Sequence, residues 1–181
     1  MSKNIFGAAC VVLGTILSNN INHPILSPIV FSVGILLVIS LDLGLITRSV
    51  PSGKPFRSCV STCCINLVVS FLMGLLLSNS GTYPPQLTGT LGGGIATGIV
   101  IGLVSVVNKL KSDYKTIITM ILMFTFVYLK LPHCVVYAFY FGALETLTWN
   151  SALSLLLVTI GNLIGGSIVR YSMVILDKNN L

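Results

Sequence analysis

Apolar residues run along this chain in six stretches, Ile5 to Leu17, Ile25 to Leu45, Cys59 to Leu77, Leu91 to Val107, Thr116 to Leu144 and Ala152 to Ile175. A helix needs roughly 20 apolar residues to cross about 30 Å of hydrocarbon. The pattern therefore predicts six crossings, at about 5–20, 25–47, 59–78, 89–108, 115–144 and 151–176, in a single membrane domain over 1–181 with no room for an extramembrane domain. The first stretch is the shortest. It falls short of the hydrocarbon thickness unless Ser18 and Asn19 extend it or its neighbours thin the bilayer. A signal peptide competes for this segment because Lys3 precedes the apolar run, but no small-residue cleavage site follows. Gly7-Ala8-Ala9-Cys10 has the look of a lipoprotein site, yet too little apolar sequence precedes Cys10.

Two of the six stretches are interrupted. In the fifth, Lys130-Leu131-Pro132-His133-Cys134 places a helix breaker and an ionisable ring inside the run, and the break is predicted at 130–133. Proline removes a backbone donor, clashes with the preceding turn and pushes its predecessor away from helical geometry. Non-helical backbone at membrane depth persists only where protein buries it or water fills a cavity beside it. A histidine beside the break is a functional candidate; the plainer alternative is a proline kink whose ring is satisfied by a neighbouring carbonyl. The second stretch breaks at Leu41-Asp42-Leu43-Gly44-Leu45-Ile46-Thr47-Arg48, followed by Pro51-Ser52-Gly53. The breaks occupy corresponding positions in two three-span halves, and an odd number of spans per half sets the halves in opposite orientations. Paired interruptions of this kind point to a transport site near the midplane. No residue-level repeat accompanies them. Opposed breaks bring Thr47 toward His133, so that the threonine hydroxyl holds one imidazole nitrogen while the other faces the lumen.

Composition agrees with a membrane chain. The 181 residues are 54% hydrophobic and 8% charged, with a mean hydropathy of +0.98, outside the range of soluble domains. Of the 10 basic residues, Lys3 precedes the first span, Arg48, Lys54 and Arg57 join the second to the third, Lys109, Lys111 and Lys115 join the fourth to the fifth, and Arg170 and Lys178 lie at the carboxyl end. The alternate connections carry none, so the positive-inside rule places both termini in the cytoplasm. Lys130 alone departs from the pattern, beside the second break. The net charge of +6 then serves topology and lipid headgroups; no basic face with interleaved aromatics suggests nucleic acid.

Other chemistries find little support. Cys10, Cys59, Cys63, Cys64 and Cys134 lie in or at the edge of apolar spans, where cysteine is usually a small buried hydrophobe. Cys59 and Cys63 share a helix face, but no histidine or acidic pair near them in sequence completes a metal site. The four carboxylates, Asp42, Asp113, Glu145 and Asp177, are scattered, so no acid–base pair can be drawn and an enzyme is not expected. No cofactor is expected either. Gly92-Gly93-Gly94 lacks the Lys-Ser/Thr of a phosphate loop; with Gly98, Gly161, Gly165 and Gly166 it reads instead as close helix packing.

His133-Cys134-Val135-Val136-Tyr137-Ala138-Phe139-Tyr140-Phe141 after a broken fifth span, Val158-Thr159-Ile160-Gly161-Asn162-Leu163-Ile164-Gly165-Gly166 in the sixth, and Phe31-Ser32-Val33-Gly34-Ile35 leading to Leu45-Ile46-Thr47 resemble the formate/nitrite transporter family over nearly the whole chain. The resemblance implies an all-α membrane protein, six transmembrane helices in two inverted three-helix repeats, aquaporin-like, with helices two and five broken. It further implies a homopentamer in the cytoplasmic membrane whose protomers each pass small monovalent anions such as formate, nitrite or hydrosulfide together with a proton. By position His133 matches the central histidine and Thr47 the threonine facing it. Phe31, Ile35, Leu45 and Phe126 fall at apolar constrictions, Asn162 matches the asparagine of the sixth span, and Lys115 a basic position at the start of the fifth.

The departures are equally specific. Where the family commonly has Glu before the histidine and Asn four residues after it, this chain has Pro132 and Tyr137. Arg48 follows Thr47 at once, so the second half of broken span two is expected to shrink to a turn. No vestibule lysine precedes span four. Two alternatives follow, an aquaporin-like channel for neutral solutes and a non-conducting membrane scaffold that kept the fold.

Overall fold

The computed structural model describes residues 1–79, 84, 87–109, 113–144 and 148–179, with side chains as far as 176. Lys111 and Glu145 lie outside the described residues. The described chain is helical: α1 (Ser2–Asn19), α2 (Leu26–Ser40), α3 (Ile46–Ser49), α4 (Phe56–Leu76), α5 (Leu91–Val107), α6 (Lys115–Tyr128), α7 (Cys134–Ala143) and α8 (Trp149–Asn179). Two of these, Phe56–Leu76 and Trp149–Leu176, are long and apolar enough to cross a membrane unaided. The second and fifth stretches each consist of two pieces, α2 with α3 and α6 with α7, and α3 is a single turn of 4 residues.

Polarity is distributed opposite to that of a soluble protein. Large apolar side chains face outward along the helices, among them Leu13, Leu37, Val68, Leu72, Ile160 and Ile164, while Asn66, Ser70, Thr97, His133 and Asn162 are buried. Such a surface suits hydrocarbon, and buried polar groups must then satisfy one another.

Both long apolar helices before the breaks end in the same way. After α2, Asp42 takes a left-handed conformation (φ 48°) and after α6 Lys130 does so (φ 52°). The Asp42 N–H donates to Ile39 O (3.1 Å) and the Leu43 N–H to Val38 O (2.9 Å); the Lys130 N–H donates to Val127 O (2.9 Å) and the Leu131 N–H to Phe126 O (3.1 Å). This is the Schellman pattern, which spends the last carbonyls of a helix on the residues that leave it. Leu41-Asp42-Leu43-Gly44-Leu45 and Leu129-Lys130-Leu131-Pro132-His133 thus leave their helices along the same backbone path. Backbone geometry is what the two segments share.

Glycine sets the approach of neighbouring helices. α5 packs on α8 and α4 on α7. A Cβ on Gly165 would fall 2.9 Å from Gly98 Cα and 2.8 Å from Ile99 N, so the α5–α8 pair can close only with small residues there. Gly165→Val is expected to lower stability by about 3 kcal/mol through overpacking, read as a lower thermal midpoint in detergent; an unchanged midpoint would refute the close packing.

Candidate functional site

Each break is held by an asparagine from a neighbouring helix. Asn162 of α8 accepts from the Cys134 N–H (3.0 Å) through Oδ1 and donates through Nδ2 to Pro132 O (3.2 Å) and Gly94 O (3.0 Å). Asn66 of α4 does the same in the first half: Oδ1 accepts from the Ile46 N–H (2.8 Å), and Nδ2 donates to Gly44 O (3.2 Å) and Asn4 O (2.8 Å). One amide thus satisfies both an orphan donor at the start of a short helix and an orphan carbonyl just before it. The Gly44 N–H finds Lys3 O (3.0 Å), and Thr97 Oγ1 donates a second bond to Pro132 O (2.8 Å). Asn66 was not singled out in the sequence. A lone amide amid Ile65 and Leu67 in an apolar span is the signal that would have found it.

The two breaks converge on one contact. His133 Nε2 and Thr47 Oγ1 lie 3.2 Å apart, both residues buried. The ring is also the N-cap of α7, because the Val135 N–H donates to Nδ1 (3.2 Å). That bond corrects the expectation that the second nitrogen faces the lumen: extended backbone at His133 (φ −110°, ψ 128°) aims the ring over the first turn of α7, where an orphan N–H claims Nδ1. With Nδ1 an acceptor, the neutral ring carries its proton on Nε2 and donates it to Thr47. Leu45 occupies the corresponding position before α3, also extended (φ −129°, ψ 135°). One half therefore presents an alkyl group where the other presents an imidazole.

Two cavities flank this centre. His133 lies in the wall of the larger, ≈ 460 Å³, together with Ser18, Asn19, Phe126, Lys130 and Tyr137. Phe31 and Phe126 line it as well, their rings 5.7 Å apart, and the Phe126 ring meets the imidazole edge-on at 6.0 Å. The smaller, ≈ 20 Å³, is room for about one water. Ile35, Leu45, Val38, Ile101 and Met123 line it, with Arg48 and Asn108 at its polar edge. Arg48 Nη1 donates to Asp42 Oδ1 (2.9 Å), bridging the break of the first half, and Lys3 Nζ reaches Asp42 Oδ2 (3.5 Å).

Of the residues singled out in the sequence, His133, Phe31 and Phe126 line the larger cavity, Thr47 meets the His133 ring, Ile35 and Leu45 line the smaller cavity, and Asn162 stands behind the break of α6 and α7. Lys115 begins α6, exposed, and lines neither cavity. Tyr137, at a departure from the family pattern, forms part of the wall of the larger cavity beside Tyr140, ring centroids 6.4 Å apart.

No protein-family model and no curated protein sequence matches the chain. Among solved structures it is similar to an FNT family ion channel, with a TM-score of 0.68 and 17% identity over 92% of this chain and 83% of the other. It is also similar to a pentameric formate channel with formate bound, with a TM-score of 0.70 and 17% identity over 98% of this chain and 94% of the other. These likenesses extend along nearly the whole polypeptide and show its fold, which is that of the formate/nitrite transporter channels.

Proposed function

We propose that the chain is a membrane channel for small monovalent anions of weak acids, of the formate, nitrite and hydrosulfide type, whose passage is linked to a proton. In this reading six spans form two inverted halves, both termini lie in the cytoplasm, and five copies assemble in the cytoplasmic membrane with one pathway each. The observation that carries it is the buried His133–Thr47 contact where two broken spans meet, between a roomy cavity and a narrow apolar one. The fold it shares with a pentameric formate channel supports the same reading.

The chemistry follows from desolvation. An anion entering the larger cavity finds water, hydroxyls and the Lys130 ammonium; beyond Phe31 and Phe126 it would have to shed its hydration against Ile35, Leu45 and Met123. A bare charge pays far more for that transfer than its conjugate acid does. His133 then acts as a neutral donor through Nε2: the oxygen or sulfur of the substrate takes the place of Thr47 Oγ1 as acceptor of that N–H, while the Val135 N–H on Nδ1 holds the ring in place. Lys115 and its basic neighbours raise the local anion concentration at the cytoplasmic mouth.

Stopped-flow uptake of formate into proteoliposomes tests the proton link. The concentration of the neutral acid rises about tenfold for each pH unit of acidification above the acid's pKa, so influx should climb as external pH falls. The largely apolar lining of the smaller cavity, from Leu45 to Met123, also favours a channel for neutral solutes alone. Water or ammonia flux in the absence of any formate flux would select that reading and exclude the first.

A further inference from the structure

A third hollow, ≈ 460 Å³, opens at the basic end of the helices, apart from the two cavities already described. Lys3 and Asn4 of α1, Asp42 and Gly44 of the first break, Lys54, and Ser58, Ser61 and Thr62 of α4 line it. The three hydroxyl residues sit at helical spacing i, i+3 and i+4, so they share one face of α4. Ser58 and Ser61 are exposed and their hydroxyls make no hydrogen bond among the described residues, while Thr62 Oγ1 accepts from Asn4 Nδ2 (3.2 Å). Charge in the hollow is positive. Arg48 pairs with Asp42 at 2.9 Å, Lys3 touches the other oxygen of the same carboxylate at 3.5 Å with both side chains largely exposed, and Lys54 has no ion-pair partner among the described residues.

We propose that this hollow binds a phosphate-bearing anion, its charge met by Lys3 and Lys54 and its oxygens by the hydroxyls of Ser58 and Ser61. Two ammonium groups and a row of unengaged hydroxyls supply the charge and the donors that phosphate oxygens require. Placement names the first source to test. The hollow lies over the first two turns of a helix that begins at Phe56 and is long and apolar enough to cross a membrane, the level at which an anionic lipid headgroup sits. Soluble phosphate would satisfy the same groups. Asp42 and Gly44 of the first break line the hollow, so an occupant would stiffen the break that carries Thr47. The site itself does not depend on the channel reading.

Native mass spectrometry of the full-length protein in detergent, titrated with phosphatidylglycerol, phosphatidylcholine or inorganic phosphate, decides the matter. Phosphatidylglycerol should bind saturably and in preference to phosphatidylcholine. The double variant Lys3→Gln/Lys54→Gln should weaken it about thirtyfold, from the contribution of two surface lysines. Ser58→Ala/Ser61→Ala, which leaves the charges in place, should weaken it about tenfold and decides the question if the lysine variant does not fold. Failure of inorganic phosphate to displace the lipid identifies a headgroup site, and displacement at millimolar concentration identifies a soluble phosphate site. Equal retention of both lipids, or undiminished binding by the folded variants, overturns the proposal, whatever formate flux shows.

Discussion

Asn66→Leu is expected to cost this protein about 4 kcal/mol, more than Asn162→Leu, although the two asparagines make matching sets of bonds. Leucine in place of Asn66 strands the Ile46 N–H and the Gly44 carbonyl, for which no other partner is seen among the described residues. An orphaned buried backbone group costs roughly 1–3 kcal/mol. Loss of the Asn162 amide strands the Cys134 N–H, but Pro132 O keeps its 2.8 Å bond from Thr97, so about 2 kcal/mol is expected there. Thermal unfolding in detergent, with gel filtration to follow assembly, should rank the wild type above Asn162→Leu and Asn162→Leu above Asn66→Leu. Thr97→Val should do little alone and should add more than its own cost to Asn162→Leu, because the two share one carbonyl. The reverse ranking, or strict additivity, would remove the clamp from the account of the breaks.

What the sequence displays and what it conceals follow from the same physics. Apolar length is written plainly in a membrane chain, so the helices fall close to where hydrophobic runs place them, and the breaks announce themselves through Pro132, Gly44 and flanking polar residues. The contact of Thr47 with His133 was legible because each residue stands at a break in an apolar run. The tautomer was not. It depends on the direction of one backbone N–H, at Val135, that no residue type encodes. Asn66 was missed for a related reason: its role exists only once α4 lies against the first break, so the lone amide in an apolar run marks a candidate without naming its partners. Lys115 was associated with the site by position along the chain alone; the helix it begins leaves it exposed and in the lining of neither cavity.

His133→Leu should abolish most formate flux while leaving the protein folded. The substitution gives the second half the N-cap the first half already has, since Leu45 and His133 occupy equivalent extended positions. It removes the cap on the Val135 N–H, worth about 1 kcal/mol, and the hydrogen bond to Thr47, and it makes the wall of the larger cavity apolar at the one point facing both Phe126 and the opposite break. A substrate crossing there loses the imidazole donor in a stretch of low dielectric. A rise of about 2.7 kcal/mol in the barrier corresponds to about a hundredfold loss of rate, to be read by stopped-flow uptake in proteoliposomes with circular dichroism and gel filtration as controls for folding and assembly. His133→Asn sharpens the test because it keeps a donor and does not titrate. If the ring serves as a neutral donor and the proton travels with the substrate, the Asn variant should retain intermediate flux and the same rise at low pH as the wild type. If instead the imidazole itself hands over the proton, that variant should lose its pH dependence along with its rate. Near-normal flux through folded, assembled His133→Leu would leave the imidazole as a helix cap and nothing more, and the transport proposal would fall with it.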